Sequence, residues 1–142
     1  MIGTRSVLVI EPDIDDRGGF VNTLRRAGLI VDSAADAVRG LASIASNRYA
    51  MVVVDPLTPG LSAAALIEAL RQTAPRPVAL VMIDHRDPVR GFGADVVHGY
   101  IRRDTEGDQL AELIRDCLAA LRECGMGSQP VPRPDARIPH YH

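Results

Sequence analysis

The chain alternates short apolar runs with stretches of helical periodicity. Ser6–Ile10, Ala50–Val54 and Val78–Ile83 are almost wholly apolar, with no polar residue at alternate positions. That pattern predicts strands buried on both faces, as in a parallel sheet. Leu29–Val31, and Val96-Val97 with Tyr100-Ile101, are weaker runs suited to outer strands, which makes five. Between the runs, apolar residues recur at helical spacing: Phe20, Val21, Leu24 and Ala27, then Val38, Leu41, Ala42 and Ala45, then Ala63, Leu66, Ile67 and Leu70. The last stripe, Leu110, Leu113, Ile114, Cys117, Leu118 and Leu121, is the longest, with Arg115, Arg122 and Glu123 on the opposite face. This alternation predicts an α/β domain: a doubly wound, five-stranded parallel sheet between two helical layers.

Two segments depart from it. Residues 84–95 contain Pro88, Gly91 and Gly93. At about 1 kcal/mol per interior Gly and about 3 for Pro, they predict a short or irregular fourth helix. From residue 125 to 142 four prolines fall in an extended or disordered tail, so the domain is read as 5–124.

Composition narrows the chemistry. Sixteen basic and eighteen acidic residues give a net charge of −2, which supplies no general basic field for nucleic acid or an anionic membrane, and neither is expected as a partner. Every basic residue is arginine. Lysine chemistry is therefore excluded, including Schiff bases and the P-loop phosphate grip. Cys117 and Cys124, seven residues apart on one predicted helix, would lie about 10 Å apart, too far to bridge. Free thiols, no secretory leader and no long apolar run lead us to expect a soluble, cytoplasmic chain. His85, His98, His140 and His142 show no zinc spacing with the cysteines. No Gly-x-Ser-x-Gly or Gly-x-Gly-x-x-Gly motif marks a hydrolase or dehydrogenase.

Open parallel sheets gather their reactive groups at the carboxyl ends of the strands. Here those ends carry Glu11-Pro12-Asp13, Asp55, Asp84 and Arg102-Arg103-Asp104. Glu11 and Asp55 would converge from neighbouring central strands. Two carboxylates so placed require a cation, either a divalent ion or an arginine. Taken singly, Glu11, Asp13 and Asp104 read equally well as caps of helices and turns.

The blocks Val7-Leu-Val-Ile-Glu-Pro-Asp13, Ala27-Gly28, Val52-Val-Val-Asp-Pro-Leu-Thr-Pro-Gly60, Pro77–Met82 and Gly99-Tyr-Ile-Arg-Arg103 together resemble the receiver domain of bacterial two-component response regulators, over about residues 5–124. The resemblance implies a flavodoxin-like fold with Asp55 as phospho-acceptor. It also implies a weak Mg²⁺ site drawing on Glu11, Asp13 and Asp55, and switch positions at Met82, Tyr100 and Arg103. Several of the family's working parts are altered. Pro12 replaces one acid of the metal-binding pair, and Met82 replaces the hydroxyl that bonds the phosphoryl group. Arg103 replaces the lysine, and Asp104 the proline after it. Tyr100 suits either the family's switch aromatic or a packed edge residue.

Three functional readings follow. The first is a stand-alone, atypical receiver-like signalling module that acts through protein contacts, with phosphorylation impaired or lost. The second is a working phospho-acceptor using Asp55 in a His-Asp phosphorelay. The third, a cobalamin-type binding domain, is suggested by Asp13-Ile-Asp-Asp-Arg-Gly18, but Asp15 stands where the cobalt-ligating histidine belongs. No enzyme activity beyond residual self-phosphorylation at Asp55 is expected. The partner would be a sensor kinase or a downstream output protein, with homodimerisation also open. The resemblance places partner contacts on the face bearing Arg102, Arg103, Arg115 and residues 84–95. No helix-turn-helix is foreseen after Cys124.

Overall fold

The structure, a computed structural model, describes residues 6–73, 76–83, 98–105 and 107–123. The expected irregular helix at 84–95, Val96-Val97, Cys124 and the tail from 125 to 142 lie outside these residues. So do Asp84, His85, His140 and His142.

Five strands, β1 (Ser6–Ile10), β2 (Ile30–Ala34), β3 (Met51–Val54), β4 (Val78–Ile83) and β5 (Gly99–Arg102), form one sheet in the order β2-β1-β3-β4-β5. Every pairing is parallel, with Ile10 level with both Ala34 and Val54, and Val54 level with Val81. The helices are α1 (Ile14–Arg26), α2 (Ala37–Ser46), α3 (Ala63–Arg71) and α4 (Gly107–Glu123). Alternate strand residues point to opposite faces. Val7, Val9, Met51, Val53, Leu80, Met82 and Ile101 accordingly pack with Leu24 of α1 and Ile114 of α4. On the other face Leu8, Ile10, Val52, Val54, Ala79, Val81 and Tyr100 pack with Ile44 of α2 and with Leu66 and Leu70 of α3. The three-layer, doubly wound α/β arrangement expected from the apolar runs is the one observed.

Several local expectations are corrected. The second strand runs to Ala34, past Val31 and through Asp32 and Ser33. At the sheet edge one face is open to water, so pairing with β1 outweighs polar composition. Tyr49 fastens this edge, donating its hydroxyl to Asp32 Oδ2 at 2.8 Å. Burial, and then the Asp32 carboxylate, push the Tyr49 phenol well above its ordinary range. The first helix begins at Ile14, six residues before Phe20, and runs through Gly18 and Gly19. Its start is set by Asp13, whose carboxylate accepts the Asp15 and Asp16 amides as N-cap. At its far end Gly28, at φ +91°, closes a Schellman turn in which Leu29 N–H bonds Leu24 C=O and Gly28 N–H bonds Arg25 C=O. In α2 the buried face is Ala37, Gly40 and Ile44, and Val38 is 79% exposed. The helix is rotated so that the glycine, rather than the valine, meets Ile10 of β1.

Candidate functional site

The strand order reverses between β1 and β3: the chain leaves β1 for β2 on one side, and β3 lies on the other. The crevice outside their carboxyl ends is where an open α/β sheet presents a site. Glu11 and Asp55 are the residues that follow these two strands. Each extends its ladder by one bond, Glu11 N–H to Ala34 C=O at 3.0 Å and Asp55 N–H to Ile10 C=O at 2.9 Å. Both are buried, at 2% and 7% exposure.

Arg103, just after β5, reaches back across the sheet to them. Its Nη1 pairs with Glu11 Oε1 and lies 3.5 Å from Asp16 Oδ2, while Nη2 pairs with Asp55 Oδ2 at 3.0 Å. β5 stands two strands from β3, about 10 Å at the usual spacing, a gap that needs a long side chain. The planar fork meets two carboxylates at once, which a single ammonium does less well. The remaining oxygens are also held: Glu11 Oε2 accepts Asp13 N–H at 3.0 Å, and Asp55 Oδ1 accepts Leu57 N–H at 2.9 Å. Arg17 turns back from α1 to donate to the carbonyls of Glu11 at 2.9 Å and Pro12 at 3.4 Å.

The loop after Asp55 is pinned by Thr58, whose hydroxyl and amide both bond the Asp55 carbonyl, at 2.7 and 3.0 Å. Gly60 then turns at φ +81°, a conformation that explains glycine at this place. Sequence reasoning paired Glu11 with Asp55 and called for a cation. It missed Asp16 and Arg17, whose only signal was their position on the first turn after the loop.

The fold is shared with known structures. A CheY-like response regulator receiver domain from Methanospirillum hungatei JF-1 matches with a TM-score of 0.76 at 20% identity, covering 85% of this chain and 98% of its own. CheY4 of Vibrio cholerae matches at 0.70 and 21%, covering 82% and 98%. The receiver domain of the putative response regulator NarL from Mycobacterium tuberculosis matches at 0.69 and 22%, covering 80% and 95%. The fold is that of a response-regulator receiver domain. In sequence, the transcriptional regulatory protein CseB of Streptomyces avermitilis is 32% identical over 132 residues, 90% of this chain and 54% of its own length. The transcriptional activator protein PfeR of Pseudomonas aeruginosa is 31% identical over 137 residues, 93% and 43%. The chain thus spans about half the length of the curated relatives it matches. No protein-family model matches it.

Receiver domains typically bind Mg²⁺ at this place, and the donor set here does not fit one. Mg²⁺ needs several oxygens in near-octahedral array. The guanidinium of Arg103 lies between the two buried carboxylates, Pro12 brings no side-chain oxygen, and Asp13 spends its carboxylate capping α1. Among the described residues no group of three His, Cys, Asp or Glu side chains is placed to hold a metal ion. Of the positions expected from the resemblance to act as switches, Met82 is 2% exposed and packs in the core under α1 and α4, where its thioether offers no hydroxyl to the strand ends. Tyr100 is buried in the opposite core, under α2 and α3. Asp104 faces solvent and holds Arg102 through two bonds, at 3.1 and 3.2 Å.

Among the described residues, no helix is long and apolar enough to cross a membrane.

Proposed function

We propose that this chain is a signalling module of the two-component type that works through protein–protein contacts, with phosphoryl transfer to Asp55 impaired. The reading rests on one observation: a fixed guanidinium occupies the space between Glu11 and Asp55 and satisfies both. A phosphoryl donor approaching Asp55 would meet an acceptor oxygen already committed to Arg103. Charge developing on the transferring group would find neither the acid missing at Pro12 nor a hydroxyl at Met82. Electrostatic preorganisation usually contributes more than any other effect to such transfers. Three losses of about 2–3 kcal/mol each would slow the step by several powers of ten. The output is then a constitutive shape presented to a sensor kinase or a downstream output protein in the cytoplasm. The relatives' names make transcriptional control one process such a partner would serve.

A second reading has its own support. Asp55 retains a firmly pinned loop with the Thr58 and Gly60 turn, the framework a working phospho-acceptor in a His-Asp phosphorelay needs. Incubation with acetyl phosphate and Mg²⁺, followed by intact-mass measurement, separates the two. We expect no added phosphoryl group, whereas a single addition abolished by Asp55→Asn would establish the second reading. The triple variant Pro12→Asp, Met82→Thr, Arg103→Lys is expected to gain labelling.

A further inference from the structure

The solvent face of α1 carries an unusual pattern. Asp15, Gly19, Asn22 and Arg26 are all exposed and fall at i, i+4, i+7 and i+11, one narrow stripe along the helix. The stripe is antisymmetric in charge about its midpoint between residues 20 and 21. Asp15 is as far to one side as Arg26 is to the other, and Gly19 likewise mirrors Asn22. Neither the Asp15 carboxylate nor the Arg26 guanidinium takes part in an ion pair among the described residues. The glycine is also unexplained by the monomer. Gly19 sits inside a helix, where only proline is a poorer former, and a Cβ built there or at Gly18 meets nothing within 4 Å. Among the described residues, nothing in the packing requires a missing side chain at that point.

We infer that this face docks a second copy of the same chain, α1 against α1 in antiparallel array about a two-fold axis that lies between the two helices, level with their midpoints. A two-fold contact must be self-complementary, each residue meeting its mirror position on the partner. In this array Asp15 meets the second copy's Arg26 at both ends, about 16 Å apart at 1.5 Å per residue. Gly19 meets Asn22 at the centre, where the absent side chain lets the helices approach closely. The charges that suit α1's own ends are thereby the charges that select the antiparallel orientation over the parallel one, which would set Asp15 on Asp15. A contact centred on one 13-residue helix falls short of the roughly 800 Å² per partner of stable complexes, so the dimer is weak and concentration-dependent. This assignment is independent of whether Asp55 is phosphorylated. The face adjoins the Arg102, Arg103 and Arg115 surface considered from sequence, since Arg115 donates to the Ala27 carbonyl at 3.5 Å and Arg103 Nη1 lies 3.5 Å from Asp16 Oδ2.

Sedimentation equilibrium of the 142-residue chain, from micromolar to millimolar, tests it. We expect a monomer–dimer equilibrium that weakens as salt is raised. Asp15→Arg alone and Arg26→Asp alone should each weaken it by about tenfold or more, by placing like charges opposite one another. An equimolar mixture of the two variants should associate again as a heterodimer, and the double variant should self-associate. Gly19→Gln should raise the Tm, through better helix propensity, while weakening association, which separates loss of contact from loss of fold. A chain monomeric to millimolar concentration would overturn the inference. So would a dimer indifferent to both charge reversals, or two reversed variants that fail to associate when mixed.

Discussion

Arg103 sits at the meeting point of three acids and carries only one charge. Glu11 is 2% exposed, and its carboxylate has exchanged water for a guanidinium and one backbone amide. Removing one partner of a buried ion pair leaves the other's desolvation uncompensated, typically at 3–5 kcal/mol, whereas the net worth of the intact pair is much smaller. Arg103→Met is therefore expected to lower stability by about 3 kcal/mol, read by urea denaturation. The same variant opens the space between Glu11 and Asp55, so millimolar Mg²⁺ should raise its Tm more than that of the parent. A parent more responsive to Mg²⁺ than the variant would contradict the assignment of Arg103 as the resident counter-ion. The sequence disclosed this site in part, since adjacent strand ends bring Glu11 and Asp55 together and their charges demand a cation. For Asp13 the sequence left two roles open, metal ligand or helix cap, and the structure makes it the cap, its carboxylate accepting the Asp15 and Asp16 amides.

Helix α2 illustrates how an element is set by its neighbour. Its apolar residues allow more than one rotation about the axis, and Val38, Leu41, Ala42 and Ala45 form one of the stripes that could face the sheet. The observed rotation puts Gly40 over Ile10, where an added Cβ would stand 2.6 Å from the Ile10 Cδ1 and 2.9 Å from Cγ1. Ile10 is fully buried in β1, an interior strand of the sheet, and has little freedom to retreat. Gly40→Ala should therefore destabilise by about 1–2 kcal/mol, overpacking outweighing the gain of about 1 kcal/mol in helix propensity. Ile10→Val removes the obstructing methyl, and in a double-variant cycle it should recover part of that loss. Strictly additive effects would show that the contact is relieved by helix movement instead. Helix α1 gives the complementary lesson: it runs through Gly18 and Gly19, and the Asp13 cap with the acidic first turn is sufficient to start it before them.

Across the molecule as a whole, the start of the β4–β5 pairing is secured by a histidine. His98 N–H donates to Ala79 C=O at 2.8 Å, and the imidazole Nδ1 accepts Ala79 N–H at 3.0 Å, so both polar groups of one β4 residue are satisfied by one neighbour. The bond requires the neutral ring. Burial, and then the nearby Arg76 charge, lower the His98 pKa from 6.5 to about 4. Because the folded pKa is depressed, the unfolded chain takes up the proton first as pH falls. The contribution is complete above about 6.5, is lost between there and about 4, and amounts to roughly 3 kcal/mol at most. Urea denaturation across that interval should show stability falling with acid, and His98→Asn should flatten the slope. An unchanged slope would assign the acid sensitivity to other groups.

The described strands and helices and their layering were already written in the residue pattern. Runs such as Val7–Ile10 and Val52–Val54 carry no polar face, so they can lie only where helices cover both sides, and short parallel strands joined by helices leave few topologies. Direction and rotation were decided by tertiary packing: which face of α2 is buried, how far β2 extends along β1, and that the cation between Glu11 and Asp55 is Arg103. Each depends on contacts between residues far apart in the chain, as with Arg103 and Glu11 or Gly40 and Ile10. Local periodicity fixes which residues share a face, but only packing against a second element fixes which way that face turns.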